Sequence, residues 1–255
     1  MYAEERQQAI AELIGRRGRM SVADLATRFR VTTETVRRDL ALLERLGHVR
    51  RVHGGAIPTA ALTVTEPALS EREHTHAVQK DRIAAAAARY LPPAGGSVVF
   101  DAGTTTGRLV AALPADVDLE VVTNSVPIAA RLAGLGSVRL HMLGGRVRGI
   151  TQASVGEDAL RFLRALHVDV AFIGTNALSV GHGLSTPDPD EAAVKRAMVR
   201  CADRVVVLAD SSKIGRQHLI SFAPVDAVDV LVTDTEIDDT DCKELTDNGI
   251  EVVTA

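Results

Sequence analysis

The sequence predicts an α/β protein in two parts: an N-terminal winged helix-turn-helix head and a larger α/β body. Three observations carry this. Through residues 79–255 short β-branched runs alternate with amphipathic helical stretches, the pattern of a mostly parallel sheet covered on both faces. Within residues 1–57 three short helical patterns precede a strand and a Gly turn. The charge divides at the same place. Residues 1–57 hold eleven Arg, no Lys and seven acids, a balance of +4, which leaves −8 on the rest of a chain of net charge −4. A basic head on an acidic body is expected when only one module meets phosphate. Arg-only usage suits that role, because its planar fork bonds phosphate or guanine as Lys cannot. The expected boundaries are 1–57 for the head, 58–78 for a linker and 79–255 for the body.

The first helix is expected over 3–17, with Ile10, Leu13 and Ile14 inward and Gly15 and Gly18 at its end. Ser21-Val-Ala-Asp24 has capping-box spacing, with Asp in place of Glu, and opens a short helix carrying Val22, Leu25, Ala26 and Phe29. After a break at Arg30-Val31, Thr32 or Thr33 caps a third helix whose apolar positions are Val36, Leu40, Leu43 and Leu46. Gly47 stops it. A strand at 48–52 then turns at Gly54-Gly55, as a wing would. A recognition helix offers its N-terminal residues to base edges while nearby hydroxyl and Arg side chains hold phosphates. Ser21, Thr32, Thr33, Thr35, Arg37 and Arg38 have that chemistry in that place, and Arg50, Arg51 and His53 on the wing would reach flanking backbone or minor groove. Asp39 is expected to pair internally and orient Arg37 and Arg38 rather than to read a base. The partner is therefore double-stranded DNA, bound by a homo-oligomer, dimer or tetramer, as such motifs usually are.

The segment 58–78 lacks firm periodicity and reads as a linker with one packed segment at most. His74 and His76 within it, two residues apart with no thiol nearby, do not make a metal site. Body strands are expected at 97–100, 120–123, 139–143, 168–173, 204–208, 228–232 and 251–254, and helices near 79–91, 105–113, 126–133, 154–166 and 189–202. Parallel sheets bind ligands at the carboxyl ends of their strands, so polar residues should follow the strands. Asp101-Ala-Gly103-Thr104-Thr105-Thr106 joins a Gly turn to three hydroxyls at a helix start, an anion site. Thr123-Asn124-Ser125, Gly144-Gly145-Arg146, Gly174-Thr-Asn176, Glu191-x3-Lys195 and Asp210-Ser-Ser-Lys213 follow. Together these exits point to one crevice for a small, phosphorylated, polyhydroxyl ligand. Neither a Walker lysine nor a GxGxxG run is present, so a nucleotide is unsupported and no cofactor is expected.

Composition narrows the reading further. No Trp, two Tyr and five Phe argue against base-stacking platforms. Two cysteines cannot build a disulfide framework or a four-thiolate zinc site. No apolar run reaches membrane-spanning length and the first residues are charged, so no membrane partner is expected and the cytoplasm is the expected compartment.

The spacing Arg6-x3-Ile10-x3-Ile14, seventeen residues, then Thr32-x2-Thr35-Val36-Arg37-Arg38-Asp39-Leu40 resembles the DeoR-type helix-turn-helix signature. In the body, Asp101–Thr106, Val122-Thr-Asn-Ser125, Leu143-Gly-Gly-x-Val, Gly183-Leu-Ser-Thr-Pro-Asp, Glu191-x3-Lys195 and Asp210-Ser-Ser-Lys213 resemble the effector domain of DeoR-family regulators. The resemblance spans about residues 1–235. It implies a body fold similar to the ribose-5-phosphate isomerase and glucosamine-6-phosphate deaminase type. It also implies a bacterial repressor released from its operator by a sugar phosphate, with a wording most like regulators of fructose-type phosphotransferase-system operons. Gly174-Thr-Asn-Ala177 departs from the Asp and further Gly of many members, which bears on ligand identity. An isomerase-like enzyme is the competing reading, because Glu191, Lys195, Asp101 and Lys213 could supply a base and a cation. The fused head decides against it: an isomerase gains nothing from reading DNA.

Overall fold

The computed structural model describes residues 3–18, 20–52, 54–58 and 66–255. They divide into a smaller unit, formed by the N-terminal residues together with 215–217, and a larger one of 66–214 and 218–255.

The smaller unit opens with α1 (Ala3–Arg17) and the short strand β1 (Met20–Ser21). Helix α2 (Val22–Phe29) follows, capped by Ser21, whose Oγ accepts from the Asp24 N–H at 3.0 Å and donates to the Asp24 carboxylate at 2.6 Å. Arg30 sits in the left-handed region (φ 53°) and turns the chain sharply into α3 (Thr33–Arg45). Thr32, not Thr33, is the cap, accepting from the Thr35 N–H at 3.2 Å. Ile10, Ile14, Leu25, Val36, Leu40 and Leu43 meet in one apolar core. Leu46 does not join them. It lies beyond the last helical turn, as the C-cap, and is 59% exposed. Strands β2 (Val49–Val52) and β3 (Gly55–Pro58) pair antiparallel to make the wing, and β1 joins on the far side of β3. Gly55 is required there, since any Cβ would collide with the Met20 carbonyl.

The larger unit begins with α4 (Leu69–His74) and α5 (Ala77–Ala87), so ordered helix occupies part of the stretch expected as linker. Alternation then builds the sheet: β4 (Ser97–Phe100), α6 (Thr104–Ala111), β5 (Leu119–Thr123), α7 (Val126–Leu132), β6 (Val138–Met142). A hairpin of β7 (Arg146–Arg148) and β8 (Ala153–Val155) leads to α8 (Glu157–Arg164) and β9 (Val168–Gly174). Next come β10 (Ala177–Ser179), β11 (Gly183–Thr186), α9 (Pro189–Arg200), β12 (Ala202–Leu208), β13 (Ile220–Ala223), β14 (Val230–Thr233), α10 (Asp239–Asp247) and β15 (Glu251–Thr254). All seven expected strands lie in one parallel sheet of order β15-β14-β12-β9-β4-β5-β6.

Their continuous apolar sequence has a plain cause: alternate residues face different cores. Val98, Phe100, Val170, Phe172, Val206 and Leu208 pack on one side with α5, α6 and α7. Val99, Ala171, Ile173, Val205 and Val207 pack on the other with α8, α9 and α10. Because burial of apolar area dominates folding, a sheet covered on both faces tolerates few polar positions along its middle strands. The polar chemistry is displaced to the strand ends. Strand order reverses between β4 and β9, and that break between adjacent strands opens the crevice in which such sheets take ligands.

Candidate functional site

On the smaller unit, Thr33, Arg37 and Arg51 line one concavity of about 430 Å³, shared with Val22, Val52 and Gly54. The structure thus brings the start of α3 and the wing around a single hollow. Thr32, Thr33, Arg37, Arg38, Arg50 and Arg51 are exposed; Ser21 and Thr35 are half-buried, since both take part in caps. His53 lies outside the described residues. Asp39 corrects the expectation. It is buried, and it pairs with Arg6 of α1 at 2.7 Å and with Gln7 at 2.8 Å, not with Arg37 or Arg38. Those two arginines lie 3.6 and 3.7 Å from Glu34 on the exposed face of the same helix.

In the larger unit a pocket of about 220 Å³ opens at the β4–β9 break. One wall is the first turn of α6: Gly103, Thr104, Thr105 and Thr106, with no side chain capping its N-terminus. Uncapped amides at the positive end of a helix favour an anion. Opposite and around it stand Arg72, Lys80, Lys195 and Lys213, with Glu71, Glu191 and Asp210 among them.

Asp101, the first residue after β4, is wholly buried beneath this pocket. Its Oδ2 accepts from the Lys195 ammonium and from the Gly174 N–H at 3.0 Å, which joins the exits of β4 and β9. Burial pushes the Asp101 carboxyl up, against the pull of Lys195. Its Oδ1 has no hydrogen-bond partner among the described residues. Lys195 also donates to the Gly174 carbonyl at 3.0 Å. Glu191 is held by Arg148 and by the Thr151 hydroxyl. The pair set four residues apart on α9 therefore does not pair with itself: Glu191 and Lys195 each answer to a charge from another element. The arrangement offers N–H and ammonium donors to an anion and carboxylates to hydroxyl donors.

Two family models match the chain. The DeoR-like helix-turn-helix domain covers residues 6–59 and the DeoR C-terminal sensor domain covers 75–235, more than half the length. The chain belongs to the DeoR family of transcriptional regulators.

It is 37% identical to the HTH-type transcriptional regulator GlpR of Haloferax volcanii over 253 residues, 99% of this chain and 98% of that one. It is 33% identical to the lactose phosphotransferase system repressor of Streptococcus mutans serotype c, over 94% and 95% of the two chains. Among solved structures, ribose 5-phosphate isomerase A of Methanocaldococcus jannaschii shares 16% identity over 53% of each chain, with a TM-score of 0.39.

Not every polar exit expected in this DeoR-family sensor domain reaches the pocket. Gly103, Thr104, Thr105, Thr106, Gly174, Asn176, Glu191, Lys195 and Lys213 line it. Thr123, Asn124 and Ser125 do not. Thr123 Oγ1 donates to the Phe100 carbonyl at 2.7 Å, Asn124 Oδ1 accepts from the Ala102 N–H at 2.8 Å, and Ser125 caps α7. They brace the pocket floor from behind. Gly144, Gly145 and Arg146 do not line it either; they follow β6 at the sheet edge, two strands from β4. Gly145 (φ 123°) leaves no room for a side chain against the Val155 carbonyl, and Arg146 is exposed on Asp190 at 2.6 Å.

Sequence reasoning missed Arg72 and Lys80. Lys80 is buried, and its ammonium donates to the Arg72 carbonyl at 2.5 Å; burial pulls it down to about 8. A signal existed. Lys80 shares the buried stripe of α5 with Ile83, Ala84 and Ala87, at helical spacing, where a lysine is expensive unless it has work to do. Among the described residues no group of three or more His, Cys, Asp or Glu could hold a metal, and no helix is long and apolar enough to cross a membrane.

Proposed function

We propose that this DeoR-family regulator is a repressor of a sugar-catabolic operon, of the fructose phosphotransferase type, released from its operator by a phosphorylated sugar. The observation that carries this reading is the pocket at the β4–β9 break. There the uncapped turn Gly103–Thr106 and the cations Arg72, Lys80 and Lys213 suit a phosphate, while Asn176 and Glu191 suit the hydroxyls of a small sugar and the buried Asp101 holds Lys195 in place beneath them. The Streptococcus mutans relative, a lactose phosphotransferase system repressor, supports the sugar-operon part of this reading. A catalytic role is less well supported, because Glu191 is occupied by Arg148 and Thr151 rather than left as a base. On the head, Thr33, Arg37, Arg38, Arg50 and Arg51 meet operator DNA, with Ser21, Thr32 and Thr35 setting the helices that carry them. The protein acts in the cytoplasm as a homo-oligomer, dimer or tetramer.

Gel-shift titration tests the scheme. Full-length protein on the DNA upstream of its own gene is challenged with fructose 1-phosphate, fructose 6-phosphate, glucose 6-phosphate and inorganic phosphate. Release by a sugar phosphate, without change to the sugar, is the expected result. Isomerised product would replace the sensor by an enzyme.

A further inference from the structure

Glu66 does not line the pocket, yet both oxygens of its carboxylate are directed at groups that serve it. It is buried, and it is the first described residue after 59–65, the stretch of chain leading out of the head. Its Oε2 accepts from Arg148 Nη2 at 3.0 Å. The same guanidinium meets Asp188 through Nε at 3.2 Å and Glu191 through Nη1. Glu191 lines the pocket, and Asp188 caps the helix that carries it. The other oxygen, Oε1, is buried with no hydrogen-bond partner among the described residues, 4.0 Å from Nη1 of the pocket residue Arg72.

We propose that Glu66 is a positioning residue that passes pocket occupancy to the start of the larger unit, and so to DNA affinity; this rests on reading the pocket as the effector site. One guanidinium divides its five fixed donors among three carboxylates, so a ligand hydroxyl drawing on Glu191 redistributes what Arg148 gives Glu66. A ligand anion competes for Arg72, the cation that Oε1 faces without bonding. Loss of the Arg72 arm leaves the buried Oε1 undercompensated, and the chain relieves that by moving Glu66 toward water, pulling on the Arg148 guanidinium that Glu66 shares with Glu191. Glu66 opens the larger unit, so the movement is felt where that unit begins. The occupied and empty states then differ in contacts, as any ligand-driven shift requires.

The test uses the full-length Glu66→Gln variant, which keeps size and removes charge. Upstream DNA and the same four probes serve, with probe affinity measured in parallel by calorimetry. Wild type should lose DNA affinity about tenfold or more on saturation. Glu66→Gln should bind its probe and, unliganded, its DNA as wild type does, yet lose less than about threefold of DNA affinity on saturation. If Glu66→Gln does not fold, Glu66→Asp, which keeps the charge but withdraws it from Arg148, should show the same loss of coupling. Release of the variant as complete as that of wild type would overturn the proposal alone, as would loss of probe binding itself. Failure of every probe to release wild type would overturn the effector reading and this inference with it.

Discussion

Arg6 of the first helix and the buried Asp39 of the third form a half-buried ion pair, with Nε 2.7 Å from Oδ2, and Gln7 adds a hydrogen bond to the other carboxylate oxygen. The acid beside the two exposed arginines thus serves the fold of the head rather than its surface. Asp39→Ala would strand Arg6 in a site where its side chain is 12% exposed. The expected cost is about 2 kcal/mol, below the usual figure for fully buried pairs because Arg6 keeps some contact with water. Chemical denaturation followed by circular dichroism measures it, and an unchanged midpoint would contradict the assignment.

The two arginines next to Asp39 should behave differently. Arg37 lines the hollow between α3 and the wing with Thr33 and Arg51, whereas Arg38 stands clear, its side chain 81% exposed. Arg37→Ala is expected to cost about 1–3 kcal/mol of operator binding and to relax preference at one base pair. Arg38→Ala should weaken all sequences alike and lower the slope of log K against log salt by about one. Titrations at several salt concentrations, on operator and scrambled DNA, separate the two.

Adjacent hydroxyls on α6 should also part company. Thr106 is wholly buried, its Oγ1 2.8 Å from the Asp101 carbonyl and 2.9 Å from that of Gly103. Thr106→Ala should therefore cost about 1–2 kcal/mol of stability. Thr105, a neighbour lining the same pocket, should instead yield a variant, Thr105→Ala, of unchanged stability and DNA affinity whose response needs about tenfold more sugar phosphate. Loss of DNA binding by Thr105→Ala would undo the two-site scheme.

These contrasts mark how far the sequence could be read. The strands were legible because the runs Val170–Ile173 of β9 and Val205–Leu208 of β12 are buried on both faces and apolar throughout, and the head helices because Ser21 and Thr32 are spaced as caps. Leu245 is the one buried residue of α10, too little periodicity to reveal that helix. The hairpin of β7 and β8 has three-residue strands, below any pattern. Convergence was the harder matter. Each polar strand exit looks alike along the chain, but only strand order decides that those after β4, β9 and β12 share a pocket while the one after β6 lies at the sheet edge. Lys80 escaped for the converse reason: it reaches the pocket from a helix, not from a strand end.

Lys80 also makes the site sensitive to pH. Its burial lowers the ammonium from an ordinary value of 10.5 to about 8, opposed most by Asp210. Below pH 8 both folded and unfolded chains hold the proton, and the fold bears the full penalty of a buried charge. Between pH 8 and 10.5 the unfolded chain binds more protons, so this residue's contribution to stability rises with pH, by about 3 kcal/mol across the window. Ligand binding should run the other way. A phosphate beside Lys80 favours its charged form, so the complex takes up a proton at alkaline pH and affinity falls as pH climbs past 8. Calorimetry at pH 8.5 in two buffers of different ionisation enthalpy reads that uptake directly. Lys80→Met should weaken binding at pH 7, flatten the decline above pH 8 and abolish the uptake. A variant that kept the wild-type pH profile would show that another group titrates, and that Lys80 does not face the phosphate.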